Sequence, residues 1–182
     1  MKKNKKEKKD SSEVKWFITI FVLAFALSII FSFISTTAIG GLSLIPAILV
    51  LLLVIFIGIV FDVIGVAVTV GRESDFNAMA AKKIPGSKTS LKLIKNSAKV
   101  SNVCADVIGD VAGVLSGSIS ALIAVKMTSS LGLSFDVQFI VSAIVASLTI
   151  GGKAIGKGIA QKNSTNIVGF VGKILKIFNK EK

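Results

Sequence analysis

The sequence predicts an all-α integral membrane protein: a helical bundle of four transmembrane helices with amphipathic juxtamembrane helices on one side. Three observations carry that prediction. Of 182 residues, 52 % are hydrophobic, a share that suits chain embedded in hydrocarbon. Residues 16–61 hold no charged side chain. The 22 Lys and Arg, against 10 Asp and Glu, gather in three blocks flanking the apolar runs. That clustering, with almost no aromatic interleaving, is the charge pattern of membrane topology and excludes nucleic acid as a partner.

The elements follow in order. Residues 1–15 carry seven Lys and no apolar period, and are expected as a disordered basic tail. The membrane domain is expected over 16–178. As one helix, residues 16–61 would measure about 69 Å, more than twice a hydrocarbon core of about 30 Å. The run therefore crosses twice, near 16–37 and 45–70, with Gly40-Gly41 and Pro46 marking the turn. Its length also exceeds a signal peptide's apolar stretch, so an uncleaved anchor is expected. Trp16 falls where an interfacial aromatic belongs.

Two short amphipathic helices come next, near 74–84 and 87–98. Phe76, Met79, Ala80 and Ile84 share one face of the first, and Pro85-Gly86 ends it. Lys88, Lys92, Lys95 and Lys99 line the second, opposite Leu91, Ile94 and Ala98, so both suit the headgroup plane with lysines toward anionic lipid. The third crossing is placed near 100–125 and the fourth near 135–152. A last interfacial helix near 164–178 starts behind Asn163-Ser164-Thr165. The tail, the 72–99 segment and the C-terminal segment hold seven bases each, leaving only Lys126 elsewhere. Four crossings put the three blocks on one side, which the positive-inside rule makes cytoplasmic. A multi-pass protein of the cell membrane, with both termini inside, is the expectation.

Ionisable groups at membrane depth are expensive and point to an ion or proton path. Asp62, Asp106 and Asp110 are such groups. Asp62 precedes Arg72 and Asp110 follows Lys99 by distances that place both about 15–17 Å from the boundary at 1.5 Å per residue. Asp106 lies one turn shallower on the face of Asp110. Two carboxylates at equal depth on different helices can converge on a cation, with Asn102, Ser101, Ser116 and Thr69 adding neutral oxygens. Such ligands suit Mg²⁺, Ca²⁺ or Mn²⁺ better than soft metals. The absence of a midplane Lys or Arg to neutralise the acids strengthens the reading. Each Asp can instead bond a neighbouring backbone group or hydroxyl. A single Cys and no His exclude a disulfide within the chain and a thiolate or imidazole metal site. Gly109, Gly113 and Gly117 repeat at the spacing that lets helix backbones approach in lipid, and a homodimer packed through that face is expected. Without His, and without a motif around its serines, the chain is not expected to be an enzyme or to need an organic cofactor.

Four stretches carry a resemblance. Phe61-Asp62-Val63-Ile64-Gly65-Val66-Ala67-Val68 stands where a Phe-Ser-Gly-Ser-Glu-x-Ala-Leu helix start would stand. Leu91-Lys92-Leu93-Ile94-Lys95-Asn96 closes a basic helix pair. Ile108-Gly109-Asp110-Val111-Ala112-Gly113 occupies the place of Gly-Asn-Asn-x-x-Asn, and Gly152-Lys153-Ala154-Ile155-Gly156-Lys157 that of Gly-Glu-Ile-x-Pro-Lys. In this order, over roughly residues 45–178, the chain resembles the transmembrane domain of the cyclin-M / CorB–CorC magnesium and cobalt transporter family. The family's Ser, paired Asn, motif Glu and motif Pro are replaced here. The resemblance implies a stand-alone membrane domain that moves a divalent cation. A site of Asp62, Asp106, Asp110 and Asn102 would bind the ion, and alternating exposure would carry it across. The competing expectation is a non-transporting membrane scaffold or accessory subunit that binds lipid and partner proteins.

Overall fold

A computed structural model describes residues 2–132 and 137–178. It is all-helical, and four of its described helices are long and apolar enough to cross a membrane. The protein is therefore a multi-pass membrane protein in its architecture. The spans cover Phe17–Thr37, Leu44–Val70, Ser97–Ser130 and Gln138–Lys162. The side chain of Trp16 and the expected start of the fourth crossing at Phe135 lie outside the described residues.

Helix α1 (Lys2–Gly40) begins far upstream of the first span. The basic segment expected as a disordered tail is thus a helical extension of the first span. Lys and Glu are good helix formers, and lengthening an existing helix avoids the cost of nucleation. Phe17, Phe21 and Phe25 stack along one exposed face at 6.2 and 6.4 Å, a surface suited to hydrocarbon. After the Gly40-Gly41 turn, α2 (Leu44–Val70) carries Pro46 in its first turn, where the missing N–H costs no intrahelical bond. Lys126 spans this turn, donating to the carbonyls of Gly40 and Leu42. The one base outside the three blocks therefore ties the α1–α2 turn to the third span.

The two amphipathic helices appear as α3 (Glu73–Ala81) and α4 (Ser87–Lys95). The turn between them holds Lys83 at φ 55° and Gly86 at φ 84°. Helix α5 (Ser97–Ser101) then leads through a π-helical segment, Asn102–Ile108, into α6 (Gly109–Leu131). Gly132, left-handed at φ 61°, ends α6. Helix α7 (Gln138–Lys162) runs past Gly152, where the fourth crossing was expected to stop, and α8 (Ser164–Phe178) follows a break at Asn163.

Helix α2 is the axis. It packs against α6, α7, the π segment, α5 and α8, while α1 lies on α6. One core, with Leu51, Ile55, Ile119 and Ile123, sits toward the α1–α2 turn. A second, with Val68, Phe76, Ile94, Ala160 and Val168, fills the basic end. There α3, α4 and α8 pack on one another and on the end of α2. Ser90 donates to the Val168 carbonyl at 3.0 Å, Thr165 to Asp75 at 3.2 Å, and Lys95 pairs with Glu73 at 3.5 Å. Their apolar faces are thus partly spent on each other, whereas Phe170 and Ile177 of α8 stay exposed.

Candidate functional site: a buried carboxylate opposite a π-helical segment

Small residues let α2 touch its neighbours backbone to backbone, and this sets the site. Gly58, Asp62 and Gly65 fall on one face of α2 at helical spacing. A Cβ on Gly58 would lie 2.8 Å from that of Ala112, and one on Gly65 would lie 3.3 Å from that of Ala105. Asp62 sits between these two contacts, so it faces the junction of the π segment and α6. On the flank of α2, Gly152 and Gly156 admit Ile59 and Val63; a Cβ on Gly156 would stand 2.5 Å from the Val63 Cγ2. These two glycines draw α7 against α2 and carry its next residues, Lys153 and Lys157, to the same level.

Asp62 is 4 % exposed, and its Oδ2 is buried without a hydrogen bond among the described residues. The Lys157 Nζ approaches that oxygen at 3.9 Å from a half-exposed side chain. The Lys153 Nζ donates to the Gly109 carbonyl at 3.4 Å. Two lysines of α7 thus reach neighbouring elements, one an acid oxygen of α2 and the other a backbone carbonyl of α6. A π-helical turn widens the backbone and is frequent at functional positions in helices. Here it lies opposite Asp62, the one buried acid among the described residues.

The structure brings together only part of the set expected from sequence. Asp106 and Asp110 are exposed, on the flank of the third span, while Asp62 is buried. The expected convergence of Asp62 with Asp110, and an approach lined by Asp106, are not formed. Equal depth was legible by counting residues; direction around the helix was not. Ala105, Gly109 and Ala112 take the face against α2, so the adjacent acids turn away, and the π segment shifts the register between them. Asn102, half-buried, opens the π segment. Among the described residues no three His, Cys, Asp or Glu side chains group as metal ligands. The expectation that no midplane base faces the acids also fails. Lys153 and Lys157 were counted with the basic C-terminal segment beyond a crossing expected to end at Gly152, yet α7 continues to Lys162, and glycine is well tolerated inside membrane helices that pack closely.

The glycine repeat of the third span is divided. Gly109 is buried against Lys153, whereas Gly113 and Gly117 have nothing within 4 Å of an added Cβ. The latter two border a groove of about 240 Å³ between α6 and α7, with Ser116, Ser120 and Thr149 along it. Each of those hydroxyls donates to its own helix backbone, at 2.7–2.9 Å. Close packing between the membrane spans belongs instead to Gly58, Gly65, Gly152 and Gly156. A wider cavity of about 550 Å³, between α1, α2 and α6, is apolar apart from Ser35.

Comparison with family models, curated proteins and solved structures finds no match.

Proposed function

We propose that this membrane protein carries a cation across the bilayer, with Asp62 as the binding carboxylate. One observation carries the reading: a buried carboxylate oxygen without a hydrogen bond among the described residues, inside a membrane span, facing a π-helical segment and approached at 3.9 Å by Lys157 of a third helix. Ionisable groups so placed are costly and mark ion or proton paths. Removing a buried charge's partner is costlier than keeping the pair, so Lys157 holds the acid in place when no solute is bound. One carboxylate against two ammoniums leaves an excess positive charge. A mobile cation enters by displacing an ammonium from the Asp62 carboxylate or the Gly109 carbonyl, and the tethered base returns when it leaves. The sequence resemblance supplies Mg²⁺ or Co²⁺ as the ion. The positive-inside rule supplies a cell-membrane orientation with the basic end and both termini in the cytoplasm. The open groove at Gly113 and Gly117 suits the expected homodimer contact.

The test is uptake or efflux of Mg²⁺, Co²⁺ and Mn²⁺ in cells expressing the protein. Asp62→Asn should abolish flux, while Asp106→Asn and Asp110→Asn should leave most of it. Full flux through Asp62→Asn would remove this site from consideration.

The second reading is a membrane scaffold or accessory subunit. It is favoured by the outward direction of Asp106 and Asp110, which leaves Asp62–Lys157 as a contact that fastens α7 to α2. A ligand that binds only the folded state raises its apparent stability. Unchanged melting of the purified protein in millimolar Mg²⁺, Mn²⁺, Ca²⁺ and Co²⁺ supports the scaffold.

A further inference from the structure

Helices α1 and α2 both pack on α6, and the cavity of about 550 Å³ fills the angle between them. Its lining runs from Leu27 to Ile39 along α1 and from Val107 to Ile119 along the third span. At 1.5 Å per residue both walls are about 18 Å long. The mean section is then about 30 Å². A helix, 10–12 Å across with its side chains, needs roughly 80–110 Å², so no span of a partner protein enters. A single hydrocarbon chain, whose neighbours stand at about 3.5–4.0 Å, fits. Ile57 lines the cavity and is 40 % exposed, so the slot opens sideways on the lipid-facing surface of α2. Left empty, it would forfeit dispersion contacts along its walls, and water needs polar partners that an apolar lining does not offer.

One polar side chain breaks the apolar lining. Ser35 is 4 % exposed, and its Oγ is buried without a hydrogen bond among the described residues. Other hydroxyls of the spans show the contrast: Thr36, Ser116, Ser120 and Thr149 each donate to their own helix backbone. Buried hydroxyls normally have a partner. The Ser35 hydroxyl turns about a single bond and can donate to an acceptor lodged at its end of the slot. Depth selects the acceptor. Ser35 lies about 8 Å along α1 from the Gly40-Gly41 turn, where the chain leaves the bilayer. Headgroup and interfacial regions occupy about 5–8 Å of each leaflet, so Ser35 stands where those regions give way to hydrocarbon. In a phospholipid this is the level of the ester carbonyls, the last acceptor oxygens before the tail.

We propose that the slot holds one acyl chain of a phospholipid from the leaflet at the α1–α2 turn. The ester carbonyl of that chain accepts from Ser35, and its tail runs down to Leu27 and Val107. The site is independent of Asp62 and of transport.

The full chain, purified in neutral detergent, is titrated with phosphatidylcholine in two forms, ester-linked and ether-linked, which differ only in the carbonyl oxygens. Native mass spectrometry reads the lipid retained. The unaltered chain should keep one lipid and bind the ester form about threefold to tenfold more tightly, the worth of one hydrogen bond. Ser35→Ala should bind both forms equally. Val54→Phe and Val111→Phe, on two walls of the cavity, should fill the slot and lower retention about tenfold or more. Val125→Phe, at an exposed position outside it, should leave retention unchanged. The Ser35→Ala comparison adds no volume, so it stands even where a filling variant fails to fold. Equal binding of the two forms by the unaltered chain, or an ester preference that survives in Ser35→Ala, would overturn the proposal. Full retention in both filling variants, or an equal loss in Val125→Phe, would do the same by showing lipid held elsewhere.

Discussion

Replacing Gly172 by alanine tests whether the crossing of α4 and α8 holds the basic end together. The new Cβ would collide with the Ser90 Oγ and lie 2.8 Å from the Gly86 carbonyl oxygen and 3.0 Å from the Ser90 nitrogen. Two of these three neighbours are backbone atoms and cannot swing aside. Restoring an ordinary contact of about 3.5 Å requires the helices to part by roughly 0.7 Å. The Ser90–Val168 hydrogen bond, 3.0 Å long, would then stretch beyond hydrogen-bonding range. Ser90 is fully buried, so stranding its hydroxyl costs about 1–3 kcal/mol. Overpacking adds about 1–3 kcal/mol, and the better helix propensity of alanine returns about 1 kcal/mol. A net destabilisation of about 1–5 kcal/mol follows. Thermal unfolding in detergent measures it, with amide exchange in α8 as a local readout. Gly151→Ala is the control, because nothing lies within 4 Å of its Cβ position. If Gly172→Ala melted together with Gly151→Ala, and α8 exchanged no faster, the close crossing would be refuted.

Two further substitutions probe the span packing. Gly156→Ala should lower the melting temperature, since its Cβ meets the Val63 Cγ2 at 2.5 Å and a β-branched side chain has little rotamer freedom. Gly113→Ala and Gly117→Ala, with open space at both positions, should leave the melting temperature of the isolated chain unchanged or slightly raised. Lys126→Gln should loosen the α1–α2 turn by removing charge-assisted bonds to the Gly40 and Leu42 carbonyls. Faster proteolysis at residues 40–43 checks this, and partial exposure keeps the effect near about 1 kcal/mol.

Much of the layout was legible in advance because it depends on one-dimensional quantities. The uncharged length of 16–61 compels two crossings, and those observed, Phe17–Thr37 and Leu44–Val70, lie within a residue or so of the expected bounds. Periodicity likewise revealed α3, α4 and α8, although α3 stops at Ala81 rather than near residue 84. The site was less legible. Asp62 was identified by its charge and depth, and it is the buried acid among the described residues. Lys153 and Lys157 were missed because the C-terminal bases were counted as one block outside the fourth crossing. The clue available was the spacing of Gly152, Gly156 and Ala160, which is a packing stripe that demands a continuing helix.

Hydropathy, helical period and charge placement, all read along the chain, determined that this is a four-span helical membrane protein with amphipathic helices at its basic end. Only the tertiary structure decided which acid is buried, which base it meets, and which glycines let the helices touch. The reason is geometric. Depth along a helix grows with residue number, whereas the direction a side chain faces turns through the full circle every 3.6 residues. That direction acquires meaning only when a partner helix selects a face, and the π segment at Asn102–Ile108 resets the count just where Asp62 is met.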